Sequence, residues 1–117
     1  MTIEPLELGR ALAEALAEKK GEDVLLLELI DVCSFADYFV LATGLSERTL
    51  QALADDLQRE FKGFGRIGRA PVEGGAASGW ILLDFGSVVV HIFSPAQRKY
   101  YKLEELWREG RVVLRIA

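Results

Sequence analysis

The chain has 117 residues, with 14 Lys and Arg against 18 Asp and Glu and a formal net charge of −4. That length accommodates one domain, 1–117, able to bury roughly two-thirds of its unfolded surface, and a hydrophobic content of 50% argues against disorder. The acidic balance argues against a primary nucleic-acid binder, which needs clustered cations to displace phosphate counterions, and suits a basic protein partner.

Residues 5–20 read as a helix. Pro5 suits its first position, and Leu8, Leu12, Ala15 and Leu16 make an apolar stripe. Lys19 and Lys20 sit at the negative end of the dipole, and Gly21 suits a left-handed C-cap. Residues 24–30, apolar except for Glu28, predict a mostly buried strand. Residues 38–43, rich in aromatic and branched side chains, predict a second. Gly44-Leu45-Ser46 then turns the chain into a helix capped by Ser46, with Leu50, Leu53, Leu57 and Phe61 at helical spacing. Residues 63–79 are glycine-rich and contain Pro71. They predict a short strand around 66–70, then a mobile loop, EGGAASG.

Two apolar runs meet at Gly86-Ser87, a pair suited to a two-residue type II′ turn with Gly at positive φ. That turn pairs Asp84 with Val89, Leu82 with His91 and Trp80 with Phe93. Period-two alternation then separates the faces. Ile81, Leu83, Phe85, Val88, Val90 and Ile92 form one, which must be core, since leaving such side chains wet forfeits on the order of 1.5–3 kcal/mol each. Trp80, Leu82, Asp84, Val89, His91 and Phe93 form the other. Two readings of this mixed face stand: an interface with aromatic anchors and a few polar handles, or a second core layer under a helix. Ser94-Pro95 starts a last helix carrying Arg98, Lys99, Tyr100, Tyr101 and Lys102. Its Leu103, Leu106 and Trp107 recur at packing spacing. The order of elements implies an α/β domain with a mixed sheet. The terminal EGRVVLRIA is assigned no function.

Read as chemistry, no reaction emerges. Nucleotidyl transfer needs a Gly-Ser turn and then two carboxylates on the next strand to hold Mg²⁺. Gly44 and Ser46 offer the turn, but RIGRAP contains no acid, so Ser46 reads as a helix cap. A hydrolytic set of Ser46 or Ser78 with His91 and Asp84 has no G-x-S-x-G elbow to present its nucleophile. With one His and one Cys a tetrahedral zinc site cannot be completed. Cys33, the sole cysteine, excludes an internal disulfide and fits a reducing cytosol. No cofactor or metal is expected. No apolar run has the length of a membrane span, and the acidic, amphipathic N-terminus differs from a signal or transit peptide.

Several motifs in order resemble the ribosomal silencing factor family (RsfS, also called Iojap or YbeB). These are DYFVLATGLSERTLQALADDL at 37–57, EGG…GW at 73–80, and GWILLDFGSVVVHIFSPAQRKYYKLEELW at 79–107. Residue by residue, Asp37 and Tyr38 match the DYF element, and Trp80, Asp84 and His91 match W.LLD…VVH. Arg98, Tyr101, Leu103, Glu104 and Trp107 match R…Y.LE.LW. The resemblance covers roughly residues 5–108. It implies a nucleotidyltransferase-like sheet without the enzyme's chemistry, in a cytoplasmic homodimer. It further implies that the protein binds ribosomal protein L-fourteen on the large subunit and blocks joining of the small subunit, so that translation falls under nutrient limitation. A large-subunit assembly role using the same surface is the alternative, and a nucleotide-binding enzyme a more distant one. Asp37, Tyr38, Trp80, Asp84, His91, Arg98, Tyr101, Glu104 and Trp107 are the partner-binding candidates.

Overall fold

Six strands assemble into one sheet in the order β3-β4-β5-β2-β1-β6. The computed structural model describes residues 4–34, 36–62, 72–102 and 108–116. In chain order the elements are α1 (Pro5–Glu18), β1 (Glu22–Glu28), β2 (Tyr38–Thr43), α2 (Glu47–Glu60) and β3 (Val72–Gly75). A 3₁₀ turn (Ala76–Ser78) follows, then β4 (Trp80–Asp84), β5 (Val88–Phe93), α3 (Pro95–Tyr101) and β6 (Arg111–Ile116). Every neighbouring pair is antiparallel except β2 and β5, which run parallel from Tyr38 beside Val88 to Thr43 beside Phe93. A parallel pair cannot be closed by a tight turn. Here α2, β3 and β4 make the return.

Local signals explain the helices. Pro5 starts α1 where its missing N–H costs nothing. The left-handed residue at the end of α1 is Lys20, at φ +76°, rather than the expected Gly21. Gly21 is needed for a different reason: its N–H donates to the Leu16 carbonyl at 2.7 Å, and a Cβ on it would lie 2.7 Å from that oxygen. Ser46 caps α2 as expected, its Oγ accepting from the Thr49 N–H at 3.1 Å.

Both helices lie on one face of the sheet. Leu8, Leu12 and Leu16 of α1 and Leu50, Leu53 and Leu57 of α2 are buried with Leu26, Val40, Ile81, Leu83, Val88, Val90 and Ile92. The hairpin face assigned to the core is therefore core, and Gly86 turns at φ +94° with the expected strand register. The opposite face holds a second cluster of Leu25, Leu27, Phe39, Leu41, Val89 and Phe93, covered by Leu29, Cys33 and Ala36 from the segment after β1. Within that segment the Val32 and Cys33 N–H groups both donate to the Leu29 carbonyl.

Two further segments differ from the sequence reading. Part of EGGAASG is not a mobile loop: Val72–Gly75 is edge strand β3, paired with β4, and a 3₁₀ turn follows it. The strand expected at 66–70 lies outside the described residues. The unassigned C-terminus is also a strand. β6 pairs with β1 from Val24 beside Ile116 to Glu28 beside Arg111, and Arg111 Nε donates to Glu28 Oε1 at 2.9 Å.

Replacing Ser46 with Ala is expected to destabilise the fold by about 1 kcal/mol, since the cap's bond to an otherwise orphaned helix N–H is lost. Urea unfolding followed by far-UV circular dichroism measures this, and an unchanged midpoint would reject the capping role.

Candidate functional site

The second face carries a cluster of aromatic rings at one end of the hairpin. Trp80 opens β4 directly across from Phe93 at the close of β5, and His91 projects from the same face of β5. Trp80 stacks on Phe93 with ring centroids 5.5 Å apart. His91 packs against Phe39 at 4.6 Å and Phe93 at 6.1 Å. The parallel β2–β5 register brings Phe39 into this group, because it sets Phe39 beside Val89 and Leu41 beside His91.

α3 completes the cluster. Ser94 accepts from the Gln97 N–H at 3.2 Å, with Pro95 at the first helical position. The Ser94 N–H in turn donates to the Gly79 carbonyl at 2.8 Å. Gly79 sits at φ +81°, and a Cβ there would come within 2.8 Å of both Ser94 Oγ and the Gln97 side chain. Only glycine lets the start of β4 approach α3 so closely. Arg98 Nη1 donates to Thr43 Oγ1 at 3.1 Å, tying the middle of the helix to the end of β2. Tyr101 is thereby placed 4.6 Å from Trp80 and 6.1 Å from Phe93.

Burial grades across this patch. Tyr100 is 77% exposed and Tyr101 36%, Trp80 and Leu82 are partly buried, and His91 is 4% exposed. The face is thus neither wholly core nor wholly surface: its β5 side is filled and its β4–α3 side is open. The His91 imidazole accepts at Nδ1 from Trp80 Nε1–H at 3.2 Å. An imidazole accepting there carries its proton on Nε2. That Nε2–H is buried without a hydrogen-bond partner among the described residues, an arrangement that costs about 1–3 kcal/mol. Burial lowers the His91 pKa to about 4.

The other candidates lie elsewhere. Tyr38 is buried on the helix-covered face. Burial, then the neighbouring Glu28 carboxylate, raises its phenol pKa, while the hydrogen bond from Arg111 holds Glu28 below the usual carboxylate range. The backbone N–H groups of Asp37 and Tyr38 both donate to the Ser87 carbonyl, fastening the hairpin turn to β2. Asp84 Oδ1 accepts from the Gly86 N–H at 2.8 Å and braces the same turn. Asp84 stands at the far end of β4 from Trp80, whereas Arg98 sits on Thr43 at the end of β2. Leu103, Glu104 and Trp107 lie outside the described residues. Trp80, His91 and Tyr101 are brought together; Asp37, Tyr38 and Asp84 gather at the opposite end.

For catalysis or ligand binding the described residues offer little. They contain no cluster of three or more potential metal ligands. A cleft of about 350 Å³ lies where β2 ends, lined by Thr43, Arg98, Lys99 and Lys102 together with Glu22 and Asp23. Its acids and bases partly cancel, so a phosphate would gain little there. No described helix is long and apolar enough to cross a membrane.

The architecture is that of an α/β sheet domain whose distinguishing surface is a half-open aromatic patch. The model of the family described as "Ribosomal silencing factor during starvation" matches residues 2–116. The chain belongs to that family. It is 38% identical over 98 residues to the ribosomal silencing factor RsfS of Bacillus subtilis, covering 84% of this chain and 82% of the relative. It is 32% identical over 99 residues to the mouse protein named mitochondrial assembly of ribosomal large subunit protein 1, covering 82% of this chain and 43% of that one. A crystal structure of a Chromobacterium violaceum protein superimposes with a TM-score of 0.81 at 35% identity, covering 91% of this chain and 88% of the other.

A histidine whose pKa is lower folded than unfolded makes stability fall on acidification. Below about pH 6.5 the unfolded chain binds the proton first, and the folded chain follows only near pH 4, so protonation favours unfolding across that window. The expected loss is about 3 kcal/mol by pH 4. Urea unfolding of the parent and of His91→Phe from pH 7 to pH 4 should show this loss in the parent only. Equal slopes in both would contradict it.

Proposed function

We propose that the chain binds the large ribosomal subunit through ribosomal protein L-fourteen and, by occupying that surface, blocks association with the small subunit and lowers translation under nutrient limitation. Family membership supplies the ribosomal setting. The observation that carries the surface assignment is the patch of Trp80, Phe93 and Tyr101, rigidly backed by β5 and open at its β4–α3 side. Large aromatics fixed by packing and partly exposed are the side chains that anchor protein interfaces at small entropic cost. A steric blocker needs affinity and position but makes no bond, in keeping with a role outside enzymology. A net charge of −4 complements a basic ribosomal protein and speeds encounter. Arg98 contributes a charge at the margin of the docking region, while Asp37 and Asp84 add acidic charge at the far end of the same hairpin, in a cytoplasmic protein that pairs two-fold with a second copy.

The second reading, a factor in large-subunit assembly working through the same patch, is favoured by the name of the mouse relative. Both readings place the aromatic patch on the large subunit, and they differ in when the protein is needed.

With Trp80 and Tyr101 as central anchors, Trp80→Ala and Tyr101→Ala are each expected to cost about 2–4 kcal/mol of binding to isolated large subunits, roughly thirtyfold to thousandfold in Kd. Tyr100→Ala, at an outer position, should cost less. Sedimentation binding of variants that keep the parent's far-UV spectrum checks this. Parent-like affinity of both Trp80→Ala and Tyr101→Ala would remove the patch from the interface.

A further inference from the structure

His91 is an anomaly in its strand. It lies between Val90 and Ile92 on β5, whose six residues are all buried, and is surrounded by Phe39, Trp80 and Phe93. A phenylalanine would fill the slot with similar ring contacts and would not bury an unpartnered N–H. The imidazole adds one thing a hydrocarbon ring cannot: an acceptor at Nδ1, directed at the indole N–H of Trp80.

Trp80 needs that acceptor because stacking alone does not fix it. Its ring contacts with Phe93, His91 and Tyr101 are at 5.5, 5.9 and 4.6 Å with interplanar angles of 22°, 27° and 47°. Such contacts tolerate sliding and a change of ring orientation, whereas a hydrogen bond from one indole edge defines a single rotamer. His91 itself is held by the central strand, with its ring buried on both sides. From these observations we infer that His91 is a positioning residue: its Nδ1 latches the Trp80 indole in the orientation the ribosomal partner receives, so that the docking patch is organised before binding. The inference rests on the aromatic patch being the docking surface. It adds that a buried side chain out of reach of the partner controls affinity, because an anchor already in its bound rotamer loses less freedom on association.

Three measurements test the latch at pH 7. In ¹⁵N-labelled parent protein the His91 ring should be neutral, with the proton on Nε2 and a bare Nδ1. A proton on Nδ1 would leave Trp80 nothing to donate to and would overturn the inference, whatever the variants do. His91→Phe should make the Trp80 indole N–H, assigned against a Trp80→Phe control, exchange with solvent at least tenfold faster. It should also weaken binding to large subunits about tenfold. His91→Asn, whose side-chain oxygen can take the place of Nδ1, should recover both readouts, which a purely structural role would not require. If folded His91→Phe binds like the parent while Trp80→Ala does not, the latch is wrong and the docking surface stands. If Trp80→Ala also binds like the parent, Trp80 is no anchor and the latch falls with it, and the surface falls too if Tyr101→Ala binds like the parent.

Discussion

The parallel β2–β5 ladder is the constraint on which the rest of this molecule depends. Its strands lie at the centre of the sheet and are buried along their whole length. Because the strands run in the same direction, Thr43 and Phe93 finish side by side, and the Gly44 N–H donates to the Phe93 carbonyl at 2.8 Å. α2 and α3 therefore leave from one end of the sheet and take different faces. α2 packs beside α1 over the main core, while α3 is held over the second face by Arg98 on Thr43. If β5 were shifted by one residue against β2, Phe93 and His91 would exchange faces with Ile92. The aromatic patch would then disappear.

Central burial also sets the chemistry of the patch. A strand covered on both faces dehydrates whatever it carries, so His91 is held neutral at physiological pH and serves as an acceptor. The rings that reach the surface, Trp80 and Tyr101, thus pack against a fully buried central strand instead of a loop, which is where a preformed binding surface is best built. The opposite end of the hairpin is organised differently. There Asp84 and the Asp37–Tyr38 backbone brace the turn at Gly86 and Ser87. The residues of the family motif accordingly divide into groups that build the patch and groups that hold the hairpin in register.

Much of this was legible in the sequence because it is written in local signals. Ser46 and Ser94-Pro95 mark helix starts, Gly86-Ser87 fixes the hairpin register, and alternation from Trp80 to Phe93 separates core from mixed face. Features set by distant pairing were not legible. β6 is a short run that becomes a strand only against β1, more than eighty residues earlier in the chain. Phe39 joins the patch only through the parallel register with β5. β3 overlaps the glycine-rich stretch that predicts a loop, because such sequence has little strand propensity of its own, and its pairing with β4 supplies what propensity does not. Tyr38 shows the converse limit: a family motif marks it without saying that it points into the core.

Steric exclusion gives a direct quantitative expectation, because a blocker that forms no bond acts only in proportion to its occupancy. The decisive measurement is a subunit-joining assay in which purified large subunits are titrated with the protein and mixed with small subunits. Light scattering would follow joining, and co-sedimentation would report the amount bound. Occupancy of the large subunit should reduce joining in parallel, reaching full suppression at saturation. Undiminished joining on large subunits that still carry the protein would contradict the steric account.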